Sequence, residues 1–525
     1  MIDPTNTEGY TKSKDQHAAW VVEAIWGHRL EAQPLSGLLL EFLSMAEGMH
    51  REHKLMEHTT PSSHYEYTAY RCIQLRNILF NNARMEEIQR DCQGNDGAAW
   101  EAWLDTMTKD SSMGQNLDAD FSYLRGRFDS FNDLVAVVKL LRRIVMSSGT
   151  DAKWTTQFLF PIGPAAYYEP LKLNGGHFGG DRDVFTRTGE VAYLMLTRAD
   201  KHLRLGIKEK LEALFFTETD RNRLLMRLIS GNKPDCGESK SASYLPYKTH
   251  PAYNRFAEDV LALLSLGLQN QDVHQHLQLL ISFHVYLYAI ETANHWTGKR
   301  GLPSIVCEIL APRRDLVRRA AAGTFTENEA LGSLAVRRFM ETRAFGHDAL
   351  NEQLASKDLD DHAKTELLSA HLMEACFIDT AKKKELSATT PSELTIKTQS
   401  FIERLYREGT AKGIKSLARN CGLASTRETN RYRYAPTDEL LQALVFANVK
   451  GPVEESDFLR ILHQRYRIAI GPVEAREVLD DLRFEDAAFK ANRERLSQHL
   501  IGIGLAHRMS DACTYVINPM VKNHD

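Results

Sequence analysis

The longest apolar run of the chain is the feature that most limits its possible folds. The run covers Leu277–Ile290, with the sequence LQLLISFHVYLYAI, and it contains His284. A helix that crosses a bilayer needs about 20 apolar residues, so this run is too short to span one. The run therefore predicts a buried helix and not a membrane span.

Helical periodicity recurs along most of the sequence. Apolar residues repeat at helical spacing in 20–25 and 38–45, and 131–146 is apolar on most of its surface. Glycine and proline together supply 47 of the 525 residues. This is below the usual share of ~12% and favours helices over sandwiches with many turns. The sequence predicts a mainly α fold with a multidomain helical body.

Changes in composition divide the chain into four predicted domains. Residues 1–150 form an N-terminal helical domain, and 151–250 form a loop-rich segment with helices. Residues 251–387 form a central helical domain, and 388–525 form a C-terminal helix-turn-helix or winged-helix domain. A chain of this length is expected to hold three or four domains at roughly 150 residues each.

Cysteine usage and the start of the chain indicate the compartment. The seven cysteines are odd in number, widely spaced and never arranged as CxxC. This pattern disfavours a disulfide framework or a zinc ribbon and is typical of a reducing cytosol. The first residues, MIDPTNTEGYTKSKDQ, are polar and lack the apolar core of a signal peptide. We expect a cytoplasmic protein that does not contact a membrane.

The segment after residue 388 predicts an α+β module of short helices and strands. KSLARNCGLAS, residues 415–425, is typical of a helix-turn-helix, in which Gly422 permits a left-handed turn and Leu417 and Leu423 anchor the core. A strand-like RYRY and a helix capped by Thr or Asp follow. Near the C-terminus, a helix in FKANRERLSQHL precedes a strand–turn–strand, which is the ending of a winged-helix domain.

The charge of the chain is distributed unevenly. A net charge of −4 excludes a protein that coats nucleic acid with its whole surface. Residues 391–434, however, carry nine Lys or Arg against four acids, interleaved with Tyr432 and Tyr434. This pattern predicts a local DNA-binding surface. Its candidate residues are Lys412, Lys415, Arg419, Arg427, Arg431 and Arg433.

The C-terminal module supplies further candidates. They are Lys490, Arg495 and Arg508. With Leu496 and Leu500 facing inward, the first two are expected to point outward and the third to lie near the wing. Glu494 lies among them and opposes close phosphate contact. Seven arginines within 311–343 form a third cluster, which is interpreted as a solvated or interface face.

No motif in the chain identifies a reaction. GxxxxGK[ST] is absent, and no GxGxxG follows a strand, so a nucleotide-hydrolysing motor is not expected. Asp181, Asp183 and Glu190 supply enough carboxylate for a Mg²⁺ ion in a nuclease, but such acids more often cap helices and pair with neighbouring arginines. Asp235 and Glu238 have the residue types of a PD…ExK site, but they are three residues apart in a linker and not on adjacent strands. We predict no catalytic residue, no metal and no cofactor.

Four phrases of the sequence support a resemblance to known proteins. They are FLFPIGPAAYYEP, FTRTGEVAYLMLTRA, YRYAPTDELLQALVFANV and ESDFLRILHQRYRIAIGP. These phrases resemble large helical accessory proteins of bacterial anti-phage defence systems linked to restriction or DNA modification. The resemblance carries no catalytic residue. It implies an accessory subunit that works beside a helicase or a nuclease.

Three functional hypotheses follow from the sequence. The first is a non-enzymatic subunit that binds DNA locally and assembles a multiprotein anti-phage defence complex. The second is a metal-dependent nuclease subunit of such a system, built on residues 151–190. The third is a purely protein-binding scaffold, in which the basic clusters meet acidic surfaces of partner proteins.

Overall fold

A computed structural model defines the fold. It describes residues 20–27, 30–60, 66–68, 71–72, 78, 84–109, 121–145, 169–174, 177–180, 187–217, 239–241, 245–376, 378–380, 382–427, 431–509 and 513–521. The predicted mainly α fold is confirmed, because helices dominate and the strands are few and short.

Seven helices lie in the first half of the described chain. They are α1 (Trp20–Trp26), α2 (Leu35–Arg51), α3 (Met85–Asp91), α4 (Asp96–Lys109), α5 (Phe131–Val145), α6 (Thr188–Thr197) and α7 (Lys201–Leu211). A π-helical turn at Glu212–Phe216 extends the last of them. The buried face of α5 packs with α3 and α4 in a separate cluster around Trp100 and Trp103.

Eleven further helices are described after residue 250. They are α8 (Pro251–Leu264), α9 (Asn270–Trp296), α10 (Leu316–Phe339), α11 (Asp348–Ala355), α12 (Asp361–Cys376), α13 (Pro391–Glu408), α14 (Thr410–Asn420), α15 (Asp438–Asn448), α16 (Glu455–Tyr466), α17 (Pro472–Val478) and α18 (Asp486–Gly502). Side chains of Asp315, Thr390 and Thr437 cap the N-termini of α10, α13 and α15.

The strands form small, separate sheets. They are β1 (Glu66–Thr68), β2 (Arg71–Cys72), β3 (Glu169–Asn174), β4 (His177–Gly180), β5 (Ser239–Ser241), β6 (Ile305–Val306), β7 (Ala424–Ser425), β8 (Arg433–Tyr434), β9 (Val453–Glu454), β10 (Ile468–Ala469), β11 (Ala506–Arg508) and β12 (Thr514–Val516). Antiparallel pairs are β1–β5, β3–β4 and β7–β8, whereas β2–β3 and β6–β10 are parallel. The order β11-β12-β9 makes a three-stranded antiparallel sheet.

The long helix α9 is the centre of the core. Its predicted burial is confirmed, because every residue from Leu279 to Ile290 is buried. Each fully buried Leu, Ile or Phe side chain contributes about 1.5–3 kcal/mol to folding. Seven helices pack around α9: α1, α2, α6, α8, α10, α14 and α15. Among the described helices, none has the length and apolar character that a bilayer crossing requires.

One contiguous apolar core joins segments that are distant in sequence. It extends from Val21 in α1 to Val516 in β12 and includes side chains from all four predicted domains. The boundaries at 150, 250 and 387 therefore stay predictions. Burying apolar surface from α1 and from the C-terminal strands in one core couples their stabilities.

The C-terminal segment differs from the sequence prediction at one place. Gly422 adopts the predicted left-handed conformation, with φ +80°, and Leu417 and Leu423 are buried as expected. A helix-turn-helix in 415–425 requires a second helix soon after this turn, and the described residues before Asp438 do not form one. Residues 424–425 pair with 433–434 as a hairpin, and the next helix begins at Asp438.

Tertiary contacts explain the hairpin. The Tyr434 side chain is fully buried, and its hydroxyl accepts a hydrogen bond from the Asn328 amide at 2.9 Å. The backbone of the same residue accepts from the N–H of Glu308 at 3.1 Å. These partners lie on or before α10, more than 100 residues away, and they hold β8 extended, in agreement with the strand-like RYRY of the sequence.

A buried ionic cluster links three helices of the core. The Asp259 carboxylate on α8 is fully buried and lies 2.7 Å from His284 Nε2 on α9. Tyr466 donates its hydroxyl proton to the same carboxylate, and the Arg465 guanidinium donates to its second oxygen. Burial lowers the pKa of His284, although Asp259 opposes the shift. The cluster therefore fixes α16 against the central helices.

Removing the buried carboxylate tests the cluster. We expect Asp259→Ala to lower the free energy of unfolding by about 3–5 kcal/mol, because it leaves buried donors without their acceptor. Urea unfolding followed by circular dichroism measures the change.

The neighbouring acid supplies a matched control. Glu258 pairs with the same arginine at 2.7 Å but is about half exposed. Glu258→Ala should cost at most about 1 kcal/mol, as for exposed ion pairs. Equal losses in the two variants would contradict the role assigned to Asp259.

Candidate nucleic-acid interface

Three predicted DNA-binding residues lie on one face of α14. Lys412, Lys415 and Arg419 follow each other at spacings of three and four residues, which places them on one stripe of the helix. We call these three residues the α14 stripe. The opposite face packs inward, and Gly413 lies so close to the backbone of Leu30 that a larger side chain would collide with it. This close packing directs the stripe outward.

The stripe continues into the β7–β8 hairpin. The Lys415 ammonium lies 4.4 Å from the centroid of the Tyr432 ring, which stacks on Phe325 with the ring centroids 5.3 Å apart. Lys415 also pairs with Glu329 at 2.7 Å, so part of its charge is compensated. Lys412 and Arg419 are exposed and have no acidic partner in the described part of the chain. Arg431 is exposed next to the same tyrosine.

Arg433 has a different environment from the stripe. Its side chain is buried, and its Nε donates to the Glu308 carboxylate at 2.7 Å. One terminal nitrogen donates to the backbone oxygen of Arg427 at 3.0 Å. A buried guanidinium with a carboxylate partner is a structural ion pair, and breaking it would leave Glu308 unpaired.

A cleft of about 490 Å³ opens beside this ion pair. We call it the polar cleft, and its walls come from the 308–311 loop, α10, the β7–β8 hairpin and the start of α15. Its polar lining residues include Glu308, Arg318, Arg427, Arg433, Asp438, Glu439 and His499. Arg318 donates to the backbone oxygen of Arg427 at 3.2 Å, so two arginines fix that backbone at the cleft.

The two walls of the cleft carry opposite charges. Arg427 is exposed, and its guanidinium has no partner among the residues that the structure describes. The Asp438 carboxylate lies 2.7 Å from His499 Nε2 and accepts a hydrogen bond in the tautomer that places the proton on this nitrogen. Glu439 is exposed in the first turn of α15. The cleft therefore presents both guanidinium donors and carboxylate acceptors.

The C-terminal candidates do not join the α14 stripe through any described contact. Lys490 pairs with Asp486 at 2.7 Å, and both side chains are exposed. Arg495 is partly buried and donates to the backbone oxygen of Ile309 at 2.9 Å. Arg508 is exposed on β11. Of these residues, Arg495 helps to build the wall of the cleft, while the other two lie on the surface.

Several residues of the polar cleft were not predicted as site residues from the sequence. Arg318 belongs to the arginine cluster of 311–343, yet it is buried and does not lie on a solvated face. That cluster was the signal that could have pointed to it. Glu308 lies 125 residues from Arg433, and no local pattern connects them. The structure thus brings together two basic clusters that the sequence keeps apart.

The nuclease hypothesis depends on residues near α6. Asp181, Asp235 and Glu238 lie outside the described residues. Glu190 is buried in the first turn of α6 and pairs with Arg187 at 2.9 Å. In the described ranges, no cluster of three or more His, Cys, Asp or Glu has the arrangement of a metal site.

Beside Glu190, a second carboxyl group caps the helix. Glu41 of α2 is buried and accepts hydrogen bonds at 2.8 Å from the backbone N–H groups of Arg187 and Gly189. Gln33 donates to it at 3.2 Å. Burial raises the pKa of Glu41 to about 8, and the nearby Glu190 adds to the shift, while the backbone hydrogen bonds oppose it.

Comparison with known proteins assigns no family to the chain. No protein-family model matches it, and no curated protein matches it significantly in sequence. The resemblance to accessory proteins of defence systems therefore stays a prediction.

The raised pKa of Glu41 generates a pH-dependent prediction. The folded state holds the proton more tightly than the unfolded chain, whose carboxyl has the ordinary value of 4.5. The stabilisation by protonated Glu41 is therefore complete below pH 4.5 and is lost as the pH rises through 8. We expect the stability of Glu41→Gln relative to the unchanged protein to rise by on the order of 3 kcal/mol between pH 5 and 8.

Chemical denaturation at several pH values measures this difference. Glu366→Gln, at an exposed position of α12, is the control and should show a difference that does not vary with pH. A flat difference for Glu41→Gln would contradict the protonation assigned to Glu41.

Proposed function

We propose that the protein is a non-enzymatic subunit that binds DNA with the α14 stripe and the neighbouring hairpin, and that it assembles partner proteins. The observation that carries the proposal is a pair of exposed cations on one helix face, Lys412 and Arg419, which have no acidic partner among the described residues. Cations of this kind neutralise phosphates and release counterions. Tyr432 beside them is half-buried and holds the Lys415 ammonium over its ring.

A winged-helix module at the C-terminus belongs to the same proposal. Support comes from helix α15, strand β9, helix α16, helix α18 and hairpin β11–β12, with β10 and α17 inserted between α16 and α18 and β12 in the middle of the sheet. Phe489, Leu496 and Leu500 of α18 face inward. This module acts in assembly, because α18 is held against the body and its exposed Lys490 is already paired with Asp486.

The contacts of α18 with the body support the docking role. Asn492 is fully buried and donates to the backbone oxygens of Cys307 and Ile470 at 3.0 Å. Its side-chain oxygen accepts from the N–H of Ile309 at 2.8 Å. In a winged helix that reads DNA, the face of this helix enters the major groove. Here part of it serves the packing of the protein itself.

The setting of this function follows from the sequence resemblance. The protein acts in the bacterial cytoplasm as part of an anti-phage defence complex, and a helicase or nuclease of the same system supplies the chemistry. The DNA surface and the docked module then have separate tasks, because they lie on different elements.

A protein-binding scaffold is the second candidate. The favouring observation is charge compensation: Lys415 pairs with Glu329 and Arg433 with Glu308, which reduces the positive field available to phosphates. In this case the same cations meet acidic groups of a partner protein. The following experiment separates the two candidates.

Charge reversal on the α14 stripe tests DNA binding. A fluorescein-labelled 30-base-pair duplex is titrated with the full chain and followed by fluorescence anisotropy. We expect binding to weaken roughly 10²-fold between 50 and 200 mM salt, as for about four phosphate contacts. Lys412→Glu/Arg419→Glu should weaken binding at 50 mM salt at least about 10-fold and lower the salt slope by about two.

Exposed lysines elsewhere provide the control. Lys201 begins α7 and Lys357 lies between α11 and α12, and both are exposed. Lys201→Glu/Lys357→Glu changes the net charge by the same amount and should keep the affinity. Absence of duplex binding at 50 mM salt, or equal loss in both double variants, would favour the scaffold.

A further inference from the structure

The polar cleft has the dimensions of a small-molecule site. Its volume of about 490 Å³ falls within the ~300–1,000 Å³ that ligand pockets occupy. It lies between the 308–311 loop, the β7–β8 hairpin and the N-terminus of α15. None of the three residues of the α14 stripe lines it, whereas the β7–β8 hairpin borders both the cleft and the stripe, so variants of the stripe test DNA binding without changing the cleft.

Two guanidinium groups are available in the cleft. Arg433 is almost fully buried and uses Nε for Glu308 and one terminal nitrogen for the Arg427 backbone. Its other terminal nitrogen has no partner in the described part of the chain. The whole guanidinium of Arg427 is likewise available. Two guanidinium groups in one cleft, of which the Arg433 group is held in place by its hydrogen bonds, suit a phosphate, which accepts several charge-assisted hydrogen bonds.

The opposite wall excludes a simple anion as the best ligand. Glu439 is exposed there, and Asp438 is paired with His499. Carboxylates repel a lone phosphate but accept hydrogen bonds from hydroxyl and amino groups. The full donor and acceptor set therefore suits a ligand with a phosphate at one end and hydrogen-bond donors at the other.

An unusual leucine provides the apolar part. Leu310 lines the cleft, is 69% exposed and has φ +46°, a left-handed conformation that is costly for leucine. Its neighbours hold it there: Asn492 and Arg495 bind the backbone of Ile309, and Glu308 accepts from the N–H of Ala311 at 2.6 Å. Strain of this kind is retained at functional sites.

We propose that the polar cleft binds a nucleotide. Its phosphate lies on Arg427 and Arg433, a sugar hydroxyl or base amino group donates to Glu439, and the base packs against Leu310. The nucleotide is either free or the phosphorylated end of a nucleic-acid strand, since both present the same groups to the cleft.

Isothermal titration calorimetry with the full chain tests the proposal. The probes are the 5′-monophosphates of adenosine, guanosine, cytidine and uridine, inorganic phosphate, and a trinucleotide with and without a 5′-phosphate. We expect at least one nucleotide, or the phosphorylated trinucleotide, to bind one-to-one and at least about 10-fold more tightly than inorganic phosphate. Preference for the phosphorylated trinucleotide over every monophosphate identifies a strand end.

Surface variants of the cleft locate the binding. Arg427→Ala and Glu439→Gln remove exposed groups and should each weaken binding by about 10-fold, as for a lost charge-assisted hydrogen bond. Arg460→Ala, an exposed arginine on α16, is the control and should leave binding unchanged.

A glycine at position 310 separates function from folding. Leu310→Gly removes the backbone strain of the left-handed conformation, which stabilises the folded state, but glycine also gives the unfolded chain more conformational freedom. Because the two effects oppose each other, the melting temperature should stay within about 2 °C. Nucleotide affinity should nevertheless fall about 3-fold, because the apolar contact with the base is lost.

The contrary results are equally definite. No binding by any probe, or inorganic phosphate binding as tightly as every nucleotide, would overturn the proposal. Unchanged affinity in both Arg427→Ala and Glu439→Gln would do the same, because the ligand would then lie elsewhere. Lys412→Glu/Arg419→Glu should keep nucleotide binding, so a failure of the DNA surface is distinguishable from a failure of the cleft.

Discussion

The buried carboxylate of Asp259 is the constraint on which the arrangement of the helices depends. A charge that is removed from water must be matched by donors, and here they come from His284 on α9 and from Tyr466 and Arg465 on α16. This requirement fixes α16 to the centre of the core. Residues 468–469 directly after α16 then pair with β6, which places the 308–311 loop beside the C-terminal helices.

At the candidate site, a second buried carboxylate must likewise be matched by hydrogen-bond donors. Glu308 accepts from Arg433 and from the N–H of Ala311, so it joins the hairpin to the 308–311 loop. The loop is further held by Asn492 and Arg495 of α18. The polar cleft is thus bounded by groups whose removal would leave buried charges or donors unsatisfied. Its shape is maintained by electrostatic pairing, while Lys412 and Arg419 of the α14 stripe are exposed and have no acidic partner among the described residues.

Local sequence patterns predicted the secondary-structure elements better than they predicted the tertiary contacts of those elements. The apolar run at 277–290, the Gly422 turn and the helix–hairpin ending at the C-terminus were all legible, because each depends on spacing or on backbone conformation within a few residues. The expected helix after Gly422 was not formed, since contacts of Tyr434 with Asn328 and Glu308 keep the segment extended. Arg433 and Arg495 were predicted to contact DNA because they are cations in basic segments. Arg433 instead pairs with the carboxylate of Glu308, 125 residues away, and Arg495 donates to the backbone oxygen of Ile309, 186 residues away.

By itself, the sequence determined that the chain is mainly helical, that one helix had to be buried, and that positive charge is concentrated in 391–434. Each of these properties depends on the composition and spacing of residues within one segment of the chain. Only the tertiary structure decided which of the cations face outward and which form ion pairs with buried carboxylates. It also decided that Arg318 contacts the backbone of Arg427 at one cleft. The reason is that desolvation and ion pairing depend on distance in space, and residues far apart in the chain share one low-dielectric core.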